Sequence, residues 1–270
     1  MTSKLHVDAA AVRARSLTGF GPLPPFAWRL LSIVIVCGAW EIAGRIPINL
    51  AFPPFSYTFE GFLGMIADGS LVRAFLITLQ PLVIGVAASA ALGIGAGVLM
   101  GLRRSAEWLG APVFIVLQAA PVAALIPLVT FVYGIGLLSK VLAVCLLALP
   151  VIVLNSYKAV RNVNPSLVAM CRSFLGTPWQ QVLKIVIPDA SPVIFAGLRL
   201  GISAGFVGII LAELLITPTG IGDLITYHRA VANYPEMYAA IASIIVFSAV
   251  TLTGLQWVET TLFRPERRGG

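Results

Sequence analysis

The sequence predicts an all-α protein that crosses a membrane about six times, and two observations support this. First, 59% of its 270 residues are hydrophobic and only 11% are charged, whereas about 25% charged residues are usual in a soluble domain. Second, the charged residues are unevenly distributed. Four stretches contain none: residues 74–102, 108–139, 141–157 and 237–258. Most of them approach or exceed the ~20 residues needed to cross ~30 Å of hydrocarbon.

Six spans are predicted, of which the first and the fifth contain charged residues. They cover residues 27–46, 73–102, 109–133, 140–158, 192–216 and 237–261. The first span follows a tail of about 25 residues and contains Glu41 and Arg45. Because it also lacks a small-residue cleavage site, a cleaved signal peptide is not expected. The spacing of Glu41 and Arg45 predicts a local ion pair.

The third span is predicted to be kinked or broken. It contains Pro112, Pro121 and Pro127, and it ends at Tyr133-Gly134-Ile135-Gly136. Each proline removes a helical hydrogen bond. Carbonyl groups freed in this way are tolerated inside a membrane only where they meet protein or a water-filled cavity.

Two spans carry a stripe of small residues at every fourth position. In the second span the stripe consists of Gly85, Ser89, Gly93, Gly97 and Gly101, and in the fifth of Gly197, Gly201 and Gly205. Residues four apart share one helix face. A face of small residues lets a neighbouring helix approach closely. Tight packing is predicted, and a surface that slides during a conformational cycle is compatible with it.

Basic residues predict the orientation in the membrane. With the N-terminus inside, only Arg45, Arg73, Lys140 and Arg229 lie outside. The cytoplasmic set is Lys4, Arg13, Arg15, Arg103, Arg104, Lys158, Arg161, Arg172, Lys184, Arg264, Arg267 and Arg268. The positive-inside rule therefore predicts that both termini are cytoplasmic. The net charge of +7 reflects this topology, and no clustered basic patch with interleaved aromatic residues indicates nucleic-acid binding.

A polar segment, 158–190, is predicted to form a cytoplasmic helical hairpin. Asn164 and Pro165 begin its first helix, and Gly176 is expected to take the left-handed position at the end of that helix. Thr177 begins a capping box with Gln180. Pro188 is expected to stop the second helix. Such defined ends indicate a rigid docking element for another protein.

Several motifs occur in one order along the chain. They are Gln118-Ala-Ala-Pro-Val-Ala-Ala-Leu-Ile-Pro127, Gly134-Ile-Gly-Leu-Leu-Ser-Lys140, Asn155-Ser-Tyr-Lys-Ala-Val-Arg-Asn-Val-Asn-Pro165, Ile185-Val-Ile-Pro188, Gly197-Leu-Arg199, Ala212-Glu-Leu214 and Gly220-Ile-Gly222. With them, the stretch from Thr78 to about Glu259 resembles the permease subunits of bacterial ATP-binding cassette (ABC) importers of the nitrate/sulfonate/taurine branch. The resemblance implies a type I (MetI-like) permease fold.

The hairpin departs from the signature of that family. The signature has the form Glu-Ala-Ala, three residues, Gly, nine residues, Ile-x-Leu-Pro. Counted back from Pro188, its glutamate falls on Ala169 and its glycine on Leu175, one residue before Gly176. The chain therefore lacks the motif glutamate and shifts its glycine.

The resemblance implies a non-catalytic membrane subunit. Its expected partners are two ATPase subunits, a second permease chain, an exterior binding protein and membrane lipid. It implies no cofactor in this chain, with ATP and Mg on the partner ATPase, and no nucleic acid. The residues expected to couple to the ATPase are Leu167, Met170, Arg172, Phe174, Leu175, Gly176, Thr177 and Trp179, with Lys184 as a further polar partner. A hairpin that instead buries its apolar groups in lipid is the alternative.

Polar residues within the spans are candidates for a substrate pathway. Gln118 and Asn155 are the first candidates, followed by Pro121, Ser203 and Glu213. Hydrogen bonds between helices are the alternative explanation for the neutral ones. Glu213 is expected near the outer end, beside Thr217 and Pro218, where water reaches it and where it anchors a helix or a gate. Arg199 is expected to snorkel to the cytoplasmic edge.

The organisation along the chain follows from these predictions. Residues 1–25 form a cytoplasmic tail, residues 26–72 the first span and an exterior segment, residues 73–262 the core with its hairpin, and residues 263–270 a basic cytoplasmic tail. The loop from Thr217 to Glu236 is expected to face the binding protein or to close an outer gate. Cys37, Cys145 and Cys171 indicate neither a disulfide nor a metal framework.

The predicted function is a permease subunit of an ATP-driven importer in the bacterial inner membrane, for a small solute such as nitrate, a sulfonate or a carboxylate. No phosphate-binding loop is present, so ATP must bind to a separate chain. A secondary transporter is one alternative, although neither paired intramembrane charges nor a repeat is evident. A scaffold that recruits a soluble partner is another.

Overall fold

The computed structural model describes residues 25–46, 51–216 and 219–263, and all regular structure in these ranges is helical, which confirms the all-α class. The helices are α1 (Pro25–Arg45), α2 (Phe55–Ala67), α3 (Ser70–Leu102), α4 (Arg104–Ala119), α5 (Val122–Tyr133), α6 (Leu137–Arg161), α7 (Pro165–Ser173), α8 (Pro178–Gln181), α9 (Ile187–Leu215), α10 (Ile221–Ala230) and α11 (Tyr234–Phe263). A π-helical turn, Val182–Val186, joins α8 to α9.

Among the described residues, five helical segments are long and apolar enough to cross a membrane, and a bent pair adds a sixth if it counts as one span. The five are Phe26–Arg45, Ser70–Leu102, Leu137–Arg161, Pro178–Leu215 and Tyr234–Thr261. The prediction of about six spans is confirmed. Most of the two predicted tails, with their basic residues, and Thr217 and Pro218 lie outside the described residues.

The predicted break in the third span lies at Pro121. Helices α4 and α5 meet there at 100°, and Ala120 is extended, with φ −63° and ψ 142°. A proline disfavours the helical conformation in the residue before it, which explains the break. Pro112 and Pro127 lie inside α4 and α5 without ending them, so one of the three prolines decides the bend.

The chain divides into two compact units, residues 1–57 and 58–270. In the first, Pro53 and Ser56 contact the C-terminal end of α1. Glu41 accepts hydrogen bonds from Arg45 Nε at 2.7 Å and from the Ser56 amide at 2.9 Å, which confirms the predicted ion pair. The indole of Trp40 donates to the Pro53 carbonyl oxygen at 3.1 Å.

In the second unit, α6 packs between α3 and α9. On its α3 side, a Cβ placed on Gly85 would lie 2.7 Å from Val144 Cβ, and one on Gly97 would lie 2.6 Å from Ser156 Cβ. The facing residue numbers rise together, so α3 and α6 run in parallel. The glycine stripe therefore does what its spacing predicts, because only residues without a side chain allow the two backbones to come this close.

On its other side, α6 meets the second glycine stripe. Gly201 faces Ile152, and Gly208 faces the Ala143 carbonyl oxygen, which a Cβ would approach to 2.8 Å. Here the residue numbers run in opposite directions, so α9 is antiparallel to α6. Helix α6 therefore packs between two faces of small residues, one on α3 and one on α9. Its residues Val144, Ile152 and Val153 are fully buried.

The turn before α3 is stabilised by Asp68. Its carboxylate accepts a hydrogen bond from the Ser70 amide at 2.8 Å, where the first turn of α3 has no helical partners for its amide groups. Hydrogen bonds from the side chain and the backbone of Ser70 hold the pKa of Asp68 below its ordinary value. Gly69, with φ 75°, occupies the left-handed position that joins α2 to α3.

Candidate functional site

The helical hairpin comprises α7, α8 and the turn between them, and its predicted caps are present. Asn164 Oδ1 accepts the Ser166 amide at 3.0 Å, and Pro165 occupies the first position of α7. Thr177 Oγ1 accepts the Gln180 amide at 3.3 Å, and Gln180 Oε1 accepts the Thr177 amide at 3.0 Å. The two helix starts are therefore set by local hydrogen bonds, as the sequence predicts.

The end of α7 differs from the prediction. Leu175, rather than Gly176, adopts the left-handed conformation, with φ 55°. The amide of Gly176 donates to the Cys171 carbonyl oxygen and the amide of Leu175 to that of Arg172, both at 2.9 Å, which is the Schellman pattern with Leu175 at C′. At position 176 glycine is required because there is no room for a side chain. A Cβ there would lie 2.9 Å from the Cys171 carbonyl oxygen.

The glycine of the family signature thus falls on the residue that adopts the left-handed conformation, but this chain has leucine there. A non-glycine residue in this region costs about 1–2 kcal/mol. Leu175 is also 90% exposed, so burial within the chain does not offset this cost. A strained and exposed leucine at the tip of the hairpin is a candidate functional residue, because strain of this kind often occurs at functional sites.

We expect Leu175→Gly to stabilise the hairpin turn by about 1 kcal/mol, because glycine adopts positive φ without strain. Hydrogen exchange of the Gly176 amide in the purified protein measures this, and slower exchange is the expected result. Phe174→Gly is the matched control, since Phe174 has φ −87° and gains nothing from glycine. Faster exchange in Leu175→Gly would contradict the strain assigned to Leu175.

The second correction concerns Pro188, which does not stop a helix. The π-helical turn precedes it, and the Ile187 amide donates to the Val182 carbonyl oxygen, five residues back. This wider turn accommodates the proline near the start of α9, so the helix continues to Leu215. The hairpin is therefore joined through a π-helical turn to a helix that packs along α6, and not through a flexible loop.

The coupling residues predicted on the hairpin are mostly exposed. The exposed fraction is 80% for Phe174, 70% for Trp179 and 51% for Met170. Arg172, Thr177 and Lys184 are also exposed, whereas Leu167 and Gly176 are half-buried. A contiguous set of exposed apolar side chains on a capped hairpin is typical of an interaction surface.

At the opposite end of α6 lies a buried ion pair, Lys140–Glu213, that the sequence did not reveal. Lys140 Nζ is 2.8 Å from Glu213 Oε1, and both side chains are almost fully buried. Thr78 Oγ1 lies 2.9 Å from Glu213 Oε2 and accepts the Ile221 amide at 3.0 Å. The expectations that water reaches Glu213 and that paired intramembrane charges are missing are therefore wrong.

The ion pair also holds the segment that leads into α10. Lys140 Nζ donates to Thr219 Oγ1 at 2.9 Å, and the Gly222 amide donates to Glu213 Oε2 at 3.1 Å. Gly220 has φ 86°, and a Cβ there would collide with the Glu213 carboxylate. One carboxylate thus connects α3, α6 and α9 to the start of α10, a helix that lies within the predicted loop from Thr217 to Glu236.

The residues predicted for a substrate pathway are not brought together at one place. Gln118 lines a cavity of about 300 Å³ formed by residues of α4, α5, α6 and α9, beside the bend at Pro121. Asn155 Nδ2 donates to the Val151 carbonyl oxygen of its own helix at 2.8 Å, and its Cβ faces Gly197. Ser203 is half-buried in α9, and Glu213 belongs to the ion pair.

Two further polar contacts lie toward the hairpin end of the bundle. Tyr157 Oη donates to Glu107 Oε1 at 2.6 Å and joins α6 to α4. Arg199 Nη1 lies 3.4 Å from Glu259 Oε2 and joins α9 to α11. Arg199, expected to snorkel to the cytoplasmic edge, thus has a buried acidic partner. In the described ranges, no group of three metal-ligating side chains is present.

Comparison with known proteins identifies the family. Residues 89–264 match the family described as binding-protein-dependent transport system inner membrane component, which is well over half of the chain. The chain belongs to this family. It is a multi-pass membrane protein and a permease subunit of an ABC importer, which confirms the resemblance given by the sequence motifs.

Relatives of this permease include two proteins whose names state sulfonate and taurine transport. It is 26% identical over 238 residues to the putative aliphatic sulfonates transport permease protein SsuC of Bacillus subtilis, with 87% of this chain and 86% of that protein covered. It is 27% identical to the taurine transport system permease protein TauC of Escherichia coli, covering 75% and 72%.

Two solved structures show the same fold. An amino acid ABC transporter aligns with a TM-score of 0.60 at 16% identity, covering 75% of this permease and 97% of that chain. The inward-facing MetNI methionine ABC transporter aligns with a TM-score of 0.57 at 18% identity, covering 72% and 94%. The predicted MetI-like fold is confirmed.

Proposed function

We propose that this permease forms one half of the membrane pathway of an ATP-driven, binding-protein-dependent importer for a small anion, with sulfonates as the leading class. The observation that supports the coupling part is the capped hairpin, on which Phe174, Leu175 and Trp179 are 80%, 90% and 70% exposed. The sulfonate class rests on the relatives whose names state sulfonate and taurine transport.

The proposed assembly contains this permease, a second permease chain, two ATPase subunits and an exterior binding protein. Both termini and the hairpin face the cytoplasm, in line with the positive-inside rule. ATP and Mg bind to the ATPase chains. Closure of the ATPase pair moves the hairpin, and the π-helical turn and α9 transmit that movement to α6. No step of this cycle makes or breaks a covalent bond in the permease.

The pathway is proposed to run along the cavity beside Gln118. There, Ala120 is extended between α4 and α5, and such a break is tolerated at membrane depth where the backbone lines a cavity or is buried in protein. The segment held by Lys140 and Glu213 lies at the end away from the hairpin and is proposed as part of the outer gate. Asn155 and Ser203 remain candidates for the pathway between these ends.

We expect Trp179→Ala to uncouple ATP hydrolysis from uptake. Loss of a large aromatic side chain at the centre of an interface commonly costs about 2 kcal/mol or more, which corresponds to roughly 30-fold weaker ATPase binding. The measurement combines ATPase affinity with uptake of a radiolabelled alkanesulfonate into proteoliposomes that contain the complete transporter. Arg172→Glu combined with Phe174→Ala is expected to have the same effect.

Trp257→Ala is the matched control, because Trp257 is similarly exposed (65%) but belongs to the long apolar helix α11 and not to the hairpin. Normal coupling in this control and lost coupling in Trp179→Ala support the proposal. Unchanged uptake by Trp179→Ala would show that the hairpin is not the docking element. Uptake that persists without any ATPase subunit would favour the secondary transporter.

A further inference from the structure

A second cavity, of about 590 Å³, lies between the hairpin and the ends of α3 and α6. Its walls include the apolar side chains of Leu102, Val160 and Val168, and its polar lining includes Arg161 and Arg172. The cavity thus combines an apolar interior with two cationic groups. Neither the substrate pathway nor the exposed apolar tip of the hairpin accounts for it.

Both arginines have N–H donors that are available to a ligand. Arg161 Nη2 is 3.9 Å from Glu107 Oε2, which is beyond hydrogen-bond distance, and its side chain is 53% exposed. Arg172 Nε donates to Gln181 Oε1 at 3.5 Å, which is a long and weak hydrogen bond. No carboxylate lines the cavity in the part of the chain that the structure describes. A guanidinium group presents five N–H donors in a planar fork that matches phosphate oxygens.

Ala169 explains why the cavity is cationic. It lines the cavity, and it occupies the position where the family signature has glutamate. A glutamate at this position would bring a carboxylate into the cavity with Arg161 and Arg172 and would offset part of their charge. With alanine at this position, the described lining of the cavity holds the two arginines and no carboxylate, and the cavity is large enough for a ligand.

The position of the cavity restricts the kind of ligand. The spans α3 and α6 end at Leu102 and Arg161, so the cavity lies at the level where a membrane changes from hydrocarbon to headgroups. Basic pockets between helices at this level bind anionic headgroups. A phospholipid also has acyl chains that suit the apolar walls, whereas a free anion does not use them.

We propose that this cavity binds the phosphate-bearing headgroup of an anionic membrane lipid, with Arg161 and Arg172 as its ligands. Because Arg172 lies on the hairpin and Arg161 at the end of α6, the bound lipid connects the hairpin to the end of α6. This inference goes beyond the proposed transport function and does not depend on an ATPase or a binding protein.

The test is native mass spectrometry of the purified permease after equilibration with equal amounts of phosphatidylglycerol and phosphatidylcholine. We expect retained phosphatidylglycerol to exceed retained phosphatidylcholine. Arg161→Gln and Arg172→Gln are each expected to weaken phosphatidylglycerol binding about fivefold, the contribution of one basic side chain near an anionic surface. Arg103→Gln is the control, since Arg103 is exposed beside Leu102 but does not line the cavity.

Ala169→Glu and Ala169→Gln separate charge from size. Glutamate is expected to displace phosphatidylglycerol, whereas glutamine, of nearly the same volume, leaves binding within about twofold. Equal losses in both variants, or no preference for phosphatidylglycerol in the wild type, would overturn the proposal. Displacement of phosphatidylglycerol by millimolar inorganic phosphate would also overturn it, because the site would then serve a free anion. Titration of the delipidated wild type gives the same preference without any variant.

Discussion

Glu213→Gln is expected to lower the free energy of unfolding by about 3–5 kcal/mol, the cost of leaving a buried charge without its partner. Glutamine is nearly isosteric with glutamate and can still accept the hydrogen bonds from Thr78 and Gly222. The loss of stability therefore measures the cost of leaving the ammonium group of Lys140 without its partner. The side chain of Lys140 is only 5% exposed. Thermal unfolding of the permease in nanodiscs measures the effect.

The double variant Glu213→Gln with Lys140→Met is the control for this prediction. Replacing both members of a buried ion pair by uncharged groups is often neutral, so the double variant should recover most of the stability. If Glu213→Gln were as stable as the wild type, the pair would not be buried from water as the structure has it. The same variants in the transport assay would show whether the pair also controls the outer gate.

Gly97→Ala is expected to cost about 1–3 kcal/mol, the range for overpacking in a close-packed interior. A Cβ on Gly97 would lie 2.6 Å from both Ser156 Cβ and the Val153 carbonyl oxygen. Because the second of these is a backbone atom, a change of side-chain rotamer cannot relieve the contact, and α3 must move away from α6. Unfolding in nanodiscs and crosslinking between the two helices would both report this separation.

Gly95→Ala is the matched control in the same helix. Gly95 is exposed, and a Cβ there would have no heavy atom within 4 Å. Since alanine is the better helix former by up to about 1 kcal/mol, this variant should be neutral or slightly more stable. Equal effects of the two substitutions would mean that helix propensity, and not close packing, accounts for the change in stability when a glycine of α3 is replaced.

The predictions that succeeded depend on interactions between residues close in the chain. Thr177 and Gln180 form the capping box because they are three positions apart, and Glu41 pairs with Arg45 because they are four positions apart. The glycine stripe of α3 is equally local, since spacing alone puts it on one face. The break at Pro121 follows from the backbone of its neighbour Ala120. Each of these local patterns predicts nearly the same local structure in any fold.

The predictions that failed depend on positions that local patterns do not specify. Glycine adopts the left-handed conformation most easily, which favours Gly176 at the end of α7. The helix ends one residue earlier, however, and Leu175 adopts that conformation because the Schellman hydrogen bonds require it. Pro188 has the properties of a helix terminator, but a π-helical turn accommodates it. For the coupling and pathway residues, the structure gives exposure and position, and their roles remain predictions.

The sequence by itself determined the all-α membrane class, the approximate number of spans, the capped hairpin and the family, because hydropathy, helix caps and motif spacing are written in consecutive residues. Only the tertiary structure decided that Lys140 and Glu213, which are 73 positions apart, form a buried pair beneath the segment leading into α10. The same holds for the cavity that joins Arg161 to Arg172. Both arise where helices distant in the chain pack together, and no local pattern specifies which of their side chains will meet.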